Sequence, residues 1–203
     1  MKVLLVNGSP REKGCTYTAL TEIAQQLKQN DIDSEIYWMG LKTIRGCIAC
    51  GACKKNPGKC VFDDDICNEL INKMVEADGV VFGSPVYYAS VRGEVCTLLD
   101  RVFYAAGSKF AGKPAAGIVS CRRGGSTASY DRFNKYFGIS RMPIVSSQYW
   151  NGVHGNTPDE VKEDLEGLQI MRTLADEMAW LLKAIENTPR PEAEKPTPTN
   201  FIR

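Results

Sequence analysis

Five short apolar runs, each followed by a stretch with helical spacing, leave this chain few architectures to choose from. Residues 2–7 (KVLLVN) end at Gly8, and residues 16–29 then place Leu20, Ile23, Ala24 and Leu27 on one helical face. Residues 33–39 alternate as a strand does, and 66–77 carry Ile66, Leu70, Ile71 and Met74 at helical spacing. Residues 77–85 form the most apolar strand, which places it at the centre of a sheet. The pattern repeats through a helix at 91–104, a strand at 113–120, a helix at 126–137 and a last strand at 142–150. A final helix over 158–185 carries a stripe from Val161 to Ile185. Regular alternation of this kind predicts an α/β fold: a doubly wound, five-stranded parallel sheet of order 2-1-3-4-5, with helices on both faces.

A cysteine-rich insertion interrupts the pattern after the second strand. The run GCIACGACKKNPGKC holds Cys47, Cys50, Cys53 and Cys60. Three thiols at even three-residue spacing plus a nearby fourth can wrap one iron-sulfur cube. Four thiolates also satisfy tetrahedral zinc, although zinc sites usually pair their cysteines on two separated turns. Cluster, zinc and free thiols therefore stand as three readings, with the spacing favouring the cluster. Disulfides are disfavoured, because a 203-residue chain buries about 70% of its unfolded surface without staples. Met1 and Lys2 lead straight into VLLVN with no signal segment, so a cytoplasmic location is expected. Cys15, Cys67, Cys96 and Cys121 are scattered singly, as buried small hydrophobes or loop thiols are.

Charge and hydropathy narrow the partners. Twenty-five basic residues against twenty-four acidic ones give a formal charge of +1, too little to collect nucleic acid. No apolar run approaches the roughly 18 residues of a membrane span. Small molecules and other proteins remain. The chain divides into a domain over 1–186, with the cysteine-rich loop at 46–65, and a proline-rich extended tail over 187–203. An ordered tail of this composition has to lie against its own domain or a neighbouring subunit.

In doubly wound sheets the ligand sits outside the carboxyl ends of the strands, where strand order reverses. The loops after strands 1, 3 and 4 are each unusual. In NGSPREKGCT, Gly8 and Gly14 permit close backbone approach, Ser9 and Thr16 supply hydroxyls, and Arg11 supplies a cation beside the amides of the next helix. That set suits a phosphate, though Ser9 and Thr16 are equally suited to capping the helix. The loop matches neither the Walker nor the G-x-G-x-x-G pattern. In GSPVYYASVRG, Pro85 ends the central strand and Tyr87 and Tyr88 sit at the mouth, able to pack a flat heterocycle or simply to line a rim. In SCRRGGST, Gly124 and Gly125 let backbone amides face a ligand, and Arg122 and Arg123 are either anion partners or a solvated pair. Asp100 and Arg101 read as an ion pair on a helix surface. His154, the single histidine, reads as a hydrogen-bonded loop residue, with proton donation near a bound ligand as the alternative. No residue reads as an obligatory general acid or base.

These three loops resemble the NADPH-dependent FMN reductase group of the flavodoxin-like superfamily. The inserted C-x2-C-x2-C-x6-C is similar to that of the iron-sulfur flavoproteins within it. The resemblance covers about residues 1–186. It implies FMN with its phosphate on Ser9, Arg11, Cys15, Thr16 and Tyr17, near Gly14. It places the isoalloxazine against Pro85, Val86, Tyr87 and Tyr88, closed on the other side by Ser120, Cys121, Gly124 and Gly125. Cys15 stands where the family often has Asn, so backbone amides and Thr16 are expected to carry that phosphate contact. The resemblance further implies a 4Fe-4S cluster on Cys47, Cys50, Cys53 and Cys60 and a homodimer or homotetramer. Electrons would pass from a ferredoxin, or from NAD(P)H, to a small-molecule acceptor. The alternatives are a cluster-free NAD(P)H-dependent FMN or quinone oxidoreductase, and a flavodoxin-type carrier without its own substrate. The balanced charge counts against the carrier, which usually presents an acidic docking face.

Overall fold

A computed structural model describes residues 1–197 and 199. Strand β1 (Lys2–Asn7) lies between β2 (Asp33–Trp38) and β3 (Gly79–Tyr87). Beyond β3 come β5 (Ala115–Cys121) and β6 (Gly152–His154), and every pairing along this path is parallel. A two-residue strand β4 (Ser90–Val91) folds back antiparallel on the end of β3. The order β2-β1-β3-β5-β6 is thus the expected 2-1-3-4-5, with one short hairpin strand added.

Both faces of the sheet are buried, and the strand period decides which residue faces which layer. Val3, Leu5, Val81, Ala116 and Ile118 belong to the core under α1 (Cys15–Gln29) and α7 (Leu165–Ile185), with Ile23, Leu27, Met171, Leu174 and Met178. Leu4, Val6, Val80 and Phe82 belong to the opposite core, under α3 (Cys67–Glu76), α4 (Gly93–Ala106) and α5 (Ser126–Ile139). Burying each such side chain stabilises the fold by roughly 1.5–3 kcal/mol, so continuous apolar runs hold these strands at the centre. Gly83 brings α1 down onto the sheet: a Cβ there would lie 2.7 Å from the Thr16 methyl. Three shorter elements complete the chain: α2 (Ala52–Lys55) in the cysteine loop, a 3-10 turn at Gly107–Phe110, and α6 (Pro158–Glu163).

Three expectations need correction. The last strand does not run over 142–150. Ile144 makes an isolated bridge to Ala115, and the ladder with β5 forms only at Gly152–His154. The intervening SSQYW offers no continuous apolar face, and Tyr149 and Trp150 remain exposed. The long final helix is two helices, because Asp164 accepts the Gly167 amide at 3.0 Å and starts α7 afresh. Arg101 is not on the surface. It is 2% exposed and its ion-pair partner is Asp65, while Asp100 stays outside and faces Arg132 and Tyr136.

Residues 189–197 and 199 have no regular structure. The start of the tail touches its own domain, with Arg190 Nη2 donating to the Arg141 carbonyl at 3.4 Å. The expectation for Pro198 and for 200–203 lies outside the described residues. Among the described residues no helix is long and apolar enough to cross a membrane.

Candidate functional site

The carboxyl ends of β1, β3, β5 and β6 surround one cleft. Its walls are Ser9, Pro10, Arg11, Cys15 and Thr16 from the first loop, Pro85, Val86 and Tyr87 from the second, and Ser120, Cys121 and Arg122 from the third. Gly155 and Asn156, just past β6, close the remaining side. Nine of the residues expected at a ligand site therefore meet here. Gly14, Tyr17, Tyr88, Gly124 and Gly125 do not line the cleft. Gly14 is the N-cap of α1, Tyr17 faces a separate surface depression, and Tyr88 projects fully into solvent at the tip of the β3-β4 hairpin. Gly124 is exposed, and Gly125 packs under the hairpin, where a Cβ would lie 2.7 Å from Ala89 Cα.

The hydroxyls at the start of α1 do not cap it. Ser9 Oγ accepts the Arg11 amide at 3.1 Å, and Thr16 Oγ1 bonds Ser120 Oγ at 2.9 Å. Gly14 has no side chain to offer, and no acidic residue occupies the first turn. The amides there are free of side-chain acceptors and face the cleft with the positive end of the helix dipole. With Arg11 and Arg122 at the rim, the arrangement has the donors and the positive charge that a phosphate requires. Burial pushes the Cys15 thiol above its ordinary value, so it stays neutral and does not repel such an anion. Burial likewise raises Cys121.

Residues outside the expected set hold these loops in place. Asn7, buried at the end of β1, accepts the Ser9 amide at 3.1 Å and donates to the Glu12 carbonyl at 2.8 Å. Trp38 Nε1 donates to the Ser9 carbonyl at 2.9 Å. Arg92, 6% exposed, donates its amide to Ser84 Oγ and its guanidinium to the Gly8 carbonyl, tying the first loop to the second. A polar residue closing an apolar run was the sequence signal for Asn7; nothing local marked Trp38 or Arg92. His154 lies outside the cleft. It is the last residue of β6 rather than a loop residue: its amide donates to Asp164 Oδ2 at 2.6 Å, and its exposed ring lies 3.7 Å from the same carboxylate, too far for a hydrogen bond.

The cysteine loop builds a second, apolar cavity against α4. Cys47, Cys50, Cys53 and Cys60 all line it, with Val61, Phe62, Arg101 and Tyr104. Cys47 and Cys50 are exposed, while Cys53 and Cys60 are half-buried. Cys53 Sγ points at the Tyr104 carbonyl at 3.8 Å. Asn68 fixes the end of the loop, accepting the Cys60 amide at 2.8 Å and donating to the Cys60 and Phe62 carbonyls. Arg101 reaches up from α4, bonding Asp65 and the Arg45 and Phe62 carbonyls, and directing Nε and Nη2 at Cys60 Sγ, each at 3.4 Å. Burial works against both charges, but their hydrogen bonds outweigh it: Asp65 is held below the ordinary carboxylate range and Arg101 above its own. Cys67, buried behind Cys60, is pushed up to about 12 by burial and stays a thiol. Among the described residues no three His, Cys, Asp or Glu side chains close on a single metal position.

A phosphate-ready cleft at the strand-order reversal of a doubly wound sheet defines a flavodoxin-like protein. Comparison with known proteins gives the particular family. Residues 1–157 match the model for NADPH-dependent FMN reductase. An iron-sulfur flavoprotein of Methanocaldococcus jannaschii is 32% identical over 196 residues, covering 92% of this chain and all of the relative. One from Methanosarcina thermophila is 26% identical over 190 residues, covering 92% and 97%. The flavodoxin-type, WrbA-like protein of Agrobacterium tumefaciens shares the fold at a TM-score of 0.60 and 12% identity, covering 90% of this chain and 98% of its own. The chain belongs to the NADPH-dependent FMN reductase family and, within it, to the iron-sulfur flavoproteins, and is a flavin-dependent oxidoreductase.

Proposed function

We propose that the chain relays electrons between FMN in the three-loop cleft and a 4Fe-4S cluster on Cys47, Cys50, Cys53 and Cys60. The donor is a ferredoxin-like protein and the acceptor a small molecule. The observation that carries this reading is the convergence of all four thiols on one apolar cavity. A zinc site draws four sulfurs to about 2.3 Å from one point, whereas thiols spread around a cavity wall suit a bulkier group. The iron-sulfur names of the relatives support the same conclusion.

FMN supplies hydride or single-electron chemistry when bound, and the cluster supplies single-electron transfer. The chain's own residues place and shield. The α1 amides, Ser9, Arg11 and Thr16 hold the phosphate end, and Pro85, Val86 and Tyr87 present the wall that packs a ring. Ser120, Cys121 and Arg122 face it, with the Arg122 guanidinium available to offset negative charge as electrons arrive. Gly14 and Gly125 act through the backbone, shaping the helix start and seating the third loop under the hairpin. Association as a homodimer or homotetramer is part of the reading. An open groove lined by Phe103, Tyr104, Tyr136 and Ile139 beside Cys47 supports it, and sedimentation tests it.

The cluster-free reading takes NADPH directly at the flavin, which the family description favours. Anaerobic stopped-flow separates the two. Reduced ferredoxin is expected to bleach the flavin of the parent quickly and that of a Cys50→Ser variant slowly. Rapid bleaching by NADPH, equal in both proteins and with no response to ferredoxin, would assign the chain to the cluster-free reductases.

A further inference from the structure

Arg101 is one of the largest fully buried side chains in the molecule and carries a charge there. Such burial is costly without compensation, and every compensating group lies in the cysteine loop or, for Arg45, immediately before it. Asp65 neutralises the charge, with side-chain exposures of 1% for the arginine and 2% for the carboxylate. The Arg45 carbonyl comes from just before Cys47, and the Phe62 carbonyl from just after Cys60. The remaining two N–H groups, Nε and Nη2, both point at Cys60 Sγ at 3.4 Å, within the range of N–H···S bonds. The guanidinium plane thus grips both ends of the loop and one of its four thiols. A staple alone needs only the carbonyls and the carboxylate. Two donors on one sulfur is the geometry that stabilises negative charge on that sulfur.

We infer that Arg101 is a positioning residue for the thiolate-ligated group in this cavity, orienting Cys60 and raising the reduction potential of that group through two charge-assisted N–H···S bonds. The inference rests on the cluster reading above. A cluster with cysteinate ligands gains one negative charge on reduction, much of it shared with the sulfurs, and donors to a ligand sulfur favour the reduced state. No proton moves in this step, because an arginine remains protonated throughout. Asp65 limits the effect by cancelling the net charge of the pair, so what reaches the cluster is mainly the direction of the two N–H dipoles.

The test is redox potentiometry of the cluster signal by electron paramagnetic resonance, in anaerobically purified protein. Arg101→Lys keeps the charge but loses the planar pair of donors. The double variant Arg101→Met with Asp65→Asn removes the donors without leaving a carboxylate stranded. Both variants are expected to keep flavin, iron and a cooperative unfolding transition, with the cluster midpoint shifted to lower potential, further in the double variant. An unshifted midpoint in a double variant that retains its iron would overturn the inference. So would loss of iron from a double variant that still folds and binds flavin, since that assigns Arg101 a purely structural part in assembling the loop. Parent protein that contains no cluster at all would fail the reading on which this one rests, a result visible before any variant is made.

Discussion

Thr16 Oγ1 and Ser120 Oγ lie 2.9 Å apart and are both buried, so the start of α1 and the end of β5 are joined by one hydroxyl pair at the floor of the cleft. The pair fixes the separation of the two loops that would grip opposite sides of a ligand. Replacing one member leaves the other buried without that partner, at a cost of about 1–3 kcal/mol. Thr16→Val and Ser120→Ala should each lower the denaturant midpoint, and the double variant should lose less than the sum. Strict additivity in this cycle would show that the two hydroxyls do not depend on each other.

Arg11 is exposed at the rim of the cleft. Its contribution to holding a phosphate is therefore screened, and Arg11→Ala should weaken FMN binding by about 1 kcal/mol, roughly fivefold in Kd. Flavin titration at low and high salt checks this, and the gap between parent and variant should narrow as salt rises. Equal affinities at low salt would remove Arg11 from the phosphate end.

Asp65 gives the fold a defined acid sensitivity. Its folded-state pKa lies below the ordinary value, so its stabilising contribution is fully present above about pH 3.9 and is lost as pH falls through the lower folded value. Asp65→Asn leaves Arg101 buried without its counter-charge. The shielding here is a thin loop rather than deep core, so the cost near pH 7 should sit at the low end of the usual range, about 3 kcal/mol. Denaturant unfolding as a function of pH should show parent and variant converging in acid. A constant difference down to pH 2 would contradict the assignment.

Tyr88 and Ala89 form the two-residue tip between β3 and β4 with φ of 50° and 58°. Such turns prefer Asn-Gly, and a side chain in the left-handed region costs roughly 1–2 kcal/mol. Ala89→Gly should therefore raise the thermal midpoint, offset in part by the greater freedom of glycine in the unfolded chain. A lowered midpoint would mean that packing of the Ala89 methyl over Gly125 outweighs the strain.

Local pattern carried the sheet order and the three loops, because buried parallel strands must be apolar throughout and their carboxyl ends must hold the ligand loops. Val3 to Val6 and Val80 to Phe82 announce their positions in this way. What pattern could not reach were contacts made across the fold. Arg101 sits among apolar helix positions beside a plausible surface partner, Asp100, and only the return of the 46–65 loop onto α4 reveals its pairing with Asp65. Trp38 at the end of β2 and Arg92 at the start of α4 support the first loop from far along the chain, a role without local signature. Asp164 broke the last helix because its carboxylate satisfies an amide that continuation would otherwise use.

The most direct measurement of the central claim is metal and sulfide analysis of protein purified without oxygen, parent against Cys50→Ser. The account predicts about four iron and four sulfide per chain in the parent. The variant should keep its flavin and lose most of its iron. Stoichiometric zinc in the parent, or flavin with neither iron nor zinc, would contradict it.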